Sequence, residues 1–335
     1  MKILVTGGAG YIGGIATKHL LDAGHDVVVF DNLERGHEQV LDPRADFFPG
    51  DLRFIEDVYE AMEEAQPDAV MHFAAYALVG ESAGDPGMYF YNNVAGGVNL
   101  AKAMVDNGVK RIVFSSTCAT YGQPETMPIT EETPQRPTNP YGHSKLMFEQ
   151  ILDWYRKVHD FRPVLLRYFN ACGAEGRLGE HHDPETHIIP NVLKVALGQS
   201  DHVDVFGDDY QTPDGTCVRD YIHVSDLAEA HRLAITSDFT GALNLGTGRG
   251  FSVKQIIEAA RKATGHPIPI RIAPRRPGDP DLLVSDPSKA EREIGWKARY
   301  LEPEGIIATA WEWHRQHPDG YEDDDADEHD EDNEA

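Results

Sequence analysis

An α/β fold, built on a doubly wound parallel sheet with a smaller and less regular C-terminal lobe, is predicted by three features of the sequence. Short β-branched runs alternate with helical stretches from the first residues onward. A glycine-rich turn joins the first run to the first helix, and the rhythm breaks into a Gly-, Pro- and His-rich stretch after Asn170. At 335 residues the chain is also too long for one ordinary core, which fits a large domain with a lobe attached.

Taken in order, the run Ile3-Leu4-Val5 predicts a strand over residues 3–6, and a helix follows over 11–23. Strands are expected over 27–31 and around Phe47, then a helix over 55–64. Strands over 69–73 and 111–115 flank a long helix over 89–106, which its Asn and Gly residues weaken. A helix over 141–159 leads into a strand over 164–169, and later helices are expected over 188–197, 224–236, 253–264 and 304–314. The first domain therefore spans 1–170 and regains the chain near 221–246. Residues 171–220 and 247–318 make the second lobe, and 319–335 form a tail.

Composition narrows the function. Thirty Lys and Arg stand against 56 Asp and Glu, for a formal charge of −26, which argues against binding nucleic acid through its phosphates. The tail carries eleven of the acids and no Lys or Arg, so it should repel itself and stay disordered. No run reaches the roughly 18 uncharged apolar residues of a membrane span, and no secretory signal opens the chain, so a cytoplasmic protein is expected. Cys118, Cys172 and Cys217 are odd in number and widely spaced, which suits reduced thiols better than disulfides or zinc.

The turn Gly7-Gly8-Ala9-Gly10-Tyr11-Ile12-Gly13 lies between the first strand and first helix. Glycines there let backbone N–H groups approach a pyrophosphate, and the helix N-terminus adds donors and partial positive charge. Gly7, Gly10 and Gly13 thus predict a Rossmann-type dinucleotide site. Asp31, eighteen residues past Gly13, closes the second strand where an acid would accept from ribose hydroxyls. That favours NAD, with NADP kept open by nearby Arg35. Asp51 and Phe73-Ala74-Ala75, at the ends of the next strands, are expected to line the adenine and ribose cleft, although Asp51 reads equally well as a helix cap.

Tyr141 and Lys145 stand four apart at the start of a helix and so share one face. A phenol with an unperturbed pKa near ~10 is a poor base at neutral pH, but an ammonium and an oxidised nicotinamide nearby both favour the phenolate. Tyr141 could then take a proton from a sugar hydroxyl as hydride leaves the same carbon. Upstream, Ser115-Ser116-Thr117-Cys118 ends a strand at the edge where a parallel sheet meets its ligand, and Thr117 is the candidate to hydrogen-bond the reacting oxygen. Hydroxyls at a strand end also satisfy backbone groups.

With these motifs in place, the chain resembles the extended short-chain dehydrogenase/reductases, and among them the UDP-glucose 4-epimerase family, from Lys2 to about Tyr321. The longer strings are the specific ones: Leu78-Val79-Gly80-Glu81-Ser82, Leu166-Arg167-Tyr168-Phe169-Asn170, Asp214 to His223, and Pro274 to Asp279. The resemblance implies bound NAD, a UDP-sugar substrate, transient oxidation at sugar C4 and a homodimer. It casts Tyr141 as base, Lys145 as its pKa-lowering and ribose-binding partner, and Thr117 as the hydroxyl assisting at C4. It also sets Tyr11, Ile12, Asn32, Leu52, Asn92, Ser115 and Phe169 against the cofactor. Asn170, Val205, Phe206, Arg219, Tyr221, Arg276, Asp279 and Leu283 fall to the substrate, with Leu283 near the position that sets room for an N-acetyl group.

The sequence departs from the family in places. Many members carry serine in place of Thr117, and some carry lysine in place of Ala77. Nucleotide-sugar 4,6-dehydratases of the same fold resemble one another in an Asp-Glu pair where this chain has Cys118-Ala119, and related decarboxylases keep a glutamate at the Ala119 position. Those reactions therefore lack an acid and base here. A non-catalytic NAD-sensing regulator is the remaining alternative. His181, His182 and His187 around Asp183 and Glu185 suggest a metal, but a proline-containing loop without helical ligand spacing is read as solvated residues, and no metal is expected.

Overall fold

The computed structural model describes residues 1–276 and 278–321. Its first half runs β1 (Lys2–Thr6), α1 (Tyr11–Asp22), β2 (Asp26–Asp31), β3 (Asp46–Pro49), α2 (Ile55–Ala65), β4 (Ala69–His72), α3 (Val79–Gly84), α4 (Pro86–Tyr89), α5 (Gly96–Asp106), β5 (Arg111–Thr117), α6 (Pro140–His159) and β6 (Arg162–Tyr168). The second half runs β7 (Asn170–Cys172), α7 (Ile188–Ala196), β8 (Val203–Phe206), β9 (Val218–Arg219), β10 (Tyr221–His223), α8 (Val224–Thr236), β11 (Gly241–Leu245), β12 (Phe251–Ser252), α9 (Val253–Thr264), β13 (Ile270–Ala273), β14 (Leu282–Leu283), α10 (Ser288–Ile294) and α11 (Pro303–Gln316).

Seven strands pair in the order β3-β2-β1-β4-β5-β6-β11, every neighbour parallel. This is the doubly wound Rossmann-type sheet, whose strand order reverses between β1 and β4 and opens a crevice at the carboxyl ends. Alternation along β1 sends Ile3 and Val5 into one core with Ile15, Val29 and Leu227. Leu4 goes to the opposite core with Phe30, Leu100, Phe114 and Phe148, the period of two that a strand covered on both faces must show. A third core of Ile189, Leu193, Val205, Ile256 and Ile307 holds α7, α9, α11 and β8 together in the second lobe. There α9 starts on a capping box in which Ser252 and Gln255 satisfy each other's backbone N–H.

Two expectations need correction. The helix expected over 89–106 is continuous but changes type: α4 passes at Phe90 into a π-helical turn over Phe90–Ala95, and α5 continues from Gly96 with helical backbone angles throughout. The Asn93 side chain explains the extra residue, because it is spent on the Tyr76 N–H and carbonyl (2.9 and 3.0 Å) and on Ser144 Oγ (3.0 Å). The tail begins later than Asp319, since the Tyr321 hydroxyl donates to the Gly179 carbonyl at 3.1 Å. Residues 322–335, the rest of the expected disordered tail, lie outside the described residues.

Candidate active site

The glycine turn is shaped by close approach. Gly7 has a φ of +77° that L side chains avoid, and a Cβ there would lie 2.4 Å from the Ala74 nitrogen. A Cβ on Gly13 would lie 2.1 Å from the Gly7 oxygen, so the helix can seat on the turn only without a side chain. Gly10 differs. Its Cβ would meet nothing nearer than 3.4 Å, so its bareness leaves room on the ligand side. The first turn of α1 has neither a side-chain cap nor an acid, leaving N–H donors for an anion. A dinucleotide pyrophosphate fits this cradle.

Asp31 closes β2 and accepts from the Ala9 and Leu33 amides at 3.0 and 2.9 Å, one on each carboxylate oxygen. Burial pushes its pKa up, and the amides work against that. Its remaining lone pairs suit ribose hydroxyls. Arg35 is taken by Glu81 at 2.7 Å and lies over the Tyr76 ring. Asp51 is engaged by Asn32 (2.9 Å) and by Arg53, a residue that sequence reasoning missed.

Asn139 caps α6 by accepting from the Gly142 N–H at 2.8 Å, with Pro140 in the first turn. The cap fixes where Tyr141 and Lys145 project, one turn apart and both buried. Gly142 brings α6 onto the turn after β5, where a Cβ would lie 2.6 Å from the Ala119 oxygen. Lys145 Nζ donates to the Ser115 carbonyl at 2.8 Å, and burial drops its pKa to about 7, with Glu149 opposing. Burial drives the Tyr141 phenol far up, Tyr168 adds to that, and a hydrogen bond with Thr117 pulls it back. Thr117 Oγ1 also accepts from the Ala119 N–H at 3.1 Å.

Behind these groups lies a buried pair that sequence reasoning missed: Glu149 binds Arg167 at 2.6 Å and accepts from Ser116 Oγ at 2.5 Å. The signal was available, because Glu149 follows Lys145 by four and shares its helix face. At the far end, Arg219 is paired with Asp279 and donates to the Val218 carbonyl at 2.8 Å. The Arg276 guanidinium lies 4.1 Å over the Phe206 ring, and Leu283 packs with Tyr121, Ile129 and Phe169.

One cleft of about 1780 Å³ is lined by every residue expected to touch cofactor or substrate except Ser115. Ser115 sits one layer back, its hydroxyl 2.8 Å from Tyr168 Oη and its carbonyl on Lys145. The expectation of solvated side chains in the loop before α7 holds for exposed Asp183 and for His182 and His187, which are 29% and 41% exposed, and fails for Glu185. Glu180, His182, Glu185 and His187 also border the cleft, and the side chains of Glu180 and Glu185 are 5% and 3% exposed. A second hollow of about 680 Å³ holds none of the expected residues, and its Lys18 and His19 are already paired with Glu175 at 3.1 and 2.9 Å.

Comparison with known proteins agrees with this geometry. The NAD dependent epimerase/dehydratase family model matches residues 3–246. The UDP-glucose 4-epimerase of Halalkalibacterium halodurans is 51% identical over 327 residues, spanning 96% of this chain and 98% of that protein. The crystal structure of UDP-glucose 4-epimerase from Brucella ovis in complex with NAD superposes with a TM-score of 0.90 at 46% identity, over 93% of this chain and 97% of its own. That of the Bifidobacterium longum enzyme in complex with NAD+ and UDP gives 0.91 at 44% identity, over 96% and 100%. Near-complete coverage at such identity, together with the shared fold, makes this chain a member of the UDP-glucose 4-epimerase family of extended short-chain dehydrogenase/reductases.

Proposed function

We propose that the cleft interconverts UDP-glucose and UDP-galactose by transient oxidation at sugar C4. The observation that carries this reading is the meeting of Tyr141, Lys145 and Thr117 with the uncapped glycine turn on one cleft. In it, residues 1–170 with 221–246 hold the cofactor, and 171–220 with 247–318 hold the UDP-sugar. NAD supplies a reversible hydride acceptor for the C4 carbon. Gly7, Gly10 and Gly13 with the first turn of α1 would hold its pyrophosphate, and Asp31 a ribose.

The chain's own residues handle the proton. Tyr141 Oη takes it from the C4 hydroxyl and gives it back at the end of the cycle, so no net proton is consumed. In the free cleft burial favours the neutral phenol and the Thr117 hydrogen bond favours phenolate; a charged Lys145 nearby would add to the second. Thr117 would orient the C4 oxygen. Turning the 4-keto sugar over needs room and an anchor. The cleft volume supplies the first, and Arg219 with Arg276, as fork-shaped donors for a pyrophosphate, supply the second.

Elimination of water is disfavoured at the same place. Cys118 occupies one position of the dehydratase acid pair with its thiol pushed up to about 12 by burial, and Ala119 has no proton to exchange. Proton NMR of the purified chain with UDP-galactose tests the reading. UDP-glucose formed without a 4-keto-6-deoxy product supports it, and no turnover with NAD bound would leave the sensor instead. Rates on UDP-N-acetylhexosamines, compared with those on UDP-hexoses, measure the room beside Leu283.

The same reading includes a cytoplasmic homodimer that binds neither nucleic acid nor membrane. No helix among the described residues is long and apolar enough to cross a membrane. Trp154 and Val158, one turn apart on α6, are 64% and 66% exposed and offer an apolar patch to a second copy. Sedimentation at monomer mass would refute the dimer.

A further inference from the structure

The loop between β7 and α7 gathers two imidazoles and two carboxylates at the edge of the cleft. One nitrogen or oxygen from each of Glu180, His182, Glu185 and His187 falls within 4.8 Å of all the others. His187 Nδ1 lies 2.9 Å from Glu180 and 3.1 Å from Glu185, and His182 Nδ1 lies 3.5 Å from each. A tetrahedral ion with bonds of about 2.0–2.1 Å holds its ligand atoms roughly 3.3 Å apart along each edge, so four atoms that lie within 4.8 Å of one another would draw in around it.

A second observation points the same way. Both Nδ1 atoms are shut off from solvent, with carboxylate oxygens at 2.9–3.5 Å, while the rest of each side chain stays partly exposed, at 29% for His182 and 41% for His187. The two carboxylates are more than nine-tenths buried, and such a pair is costly without a cation between them.

We propose that Glu180, His182, Glu185 and His187 bind one divalent transition-metal ion, zinc foremost. Two imidazoles and two carboxylates suit zinc in donor type, and four protein ligands close the shell as in a structural rather than a catalytic centre. The ion would set this loop against the cofactor turn. The Tyr11 ring meets His182 edge-on at 6.4 Å, and Arg35 donates to the Asp183 carbonyl at 3.3 Å. The rival occupant of the space is a proton. Burial works against a charged His187, but the Glu180 and Glu185 carboxylates outweigh it and push its pKa up to about 10. The proposal is independent of the epimerase reading, since it concerns what holds the loop and not what reacts beside it.

The test uses the full-length chain without a histidine tag, incubated with zinc sulfate, passed over chelating resin and measured by inductively coupled plasma spectrometry. The expected result is about one zinc per chain in the wild type and under about a tenth in folded His182→Ala and Glu185→Gln. Replacing zinc by cobalt gives a readout that needs no variant: an intense visible spectrum of a tetrahedral ion supports the site. Wild-type protein that keeps less than about a tenth of an equivalent overturns the proposal. So do folded variants that keep as much zinc as wild type, or a weak octahedral cobalt spectrum.

Discussion

Lys145 Nζ donates to the main-chain carbonyl of Ser115 at 2.8 Å, with 4% of the residue left exposed. A lysine held this way against β5 cannot swing into solvent, and the fold bears the cost of burying an ammonium. Burial drops its pKa to about 7, against ~10.4 in an unfolded chain. Below pH 7 both states carry the proton, and the folded state bears the full burial penalty. Between the two values the unfolded chain binds one more proton, so stability rises with pH. Lys145→Met removes the group. In nucleotide-free protein its urea midpoint should exceed that of wild type more at about pH 6 than at about pH 9. A gap independent of pH would show that Lys145 titrates normally.

Tyr141 packs with Tyr76 and Tyr89, and Tyr141→Phe keeps that ring contact while deleting the oxygen. Turnover of UDP-galactose should fall by about 10²–10⁴-fold, the usual worth of a positioned acid–base group. Bound nucleotide per chain should stay near the wild-type ratio. A variant with half of the original kcat would remove Tyr141 from the proton's path.

The Thr117 side chain meets Tyr141, Cys118 and the Ala119 N–H, so its substitutions separate chemistry from folding. Thr117→Ser preserves the hydroxyl and should keep kcat within about threefold, since the lost methyl mainly frees rotamers. Thr117→Val should lower kcat by about tenfold or more and cost about 1 kcal/mol of stability through the lost cap. If the two variants have equal turnover, the hydroxyl does not act at C4.

The sheet strands were legible because a parallel sheet covered on both faces writes short apolar runs, and β1, β2 and β4 were placed to within a residue or two by them alone. The start of α6 was expected at Tyr141, one residue late; Asn139-Pro140 is the cap signal that could have placed it, and it fixes where Tyr141 and Lys145 project. The π turn at Phe90–Ala95 was not legible, because its cause is the Asn93 side chain reaching Tyr76 and Ser144, contacts that no local pattern records. Nor was the burial of Glu180 and Glu185. In sequence they look like any acidic loop, and tertiary packing alone removes them from water.

Glu149 is the group on which the buried charges behind the cleft depend. Its carboxylate accepts from Arg167 at 2.6 Å, from Ser116 at 2.5 Å and from Gln135 at 3.0 Å, and it raises the pKa of Lys145 against burial. Glu149→Gln leaves Arg167, 6% exposed, without its counter-charge, which should destabilise the fold by about 3–5 kcal/mol. Replacing both partners, as Glu149→Leu with Arg167→Met, removes the stranded charge and should recover most of that loss. The double variant should still turn over slowly, because Lys145 then loses the one carboxylate that supports its charge. Chemical denaturation of the three proteins, read beside kcat at neutral and alkaline pH, separates the two effects. If stability and turnover recover together, Glu149 serves the fold alone and has no part in tuning Lys145.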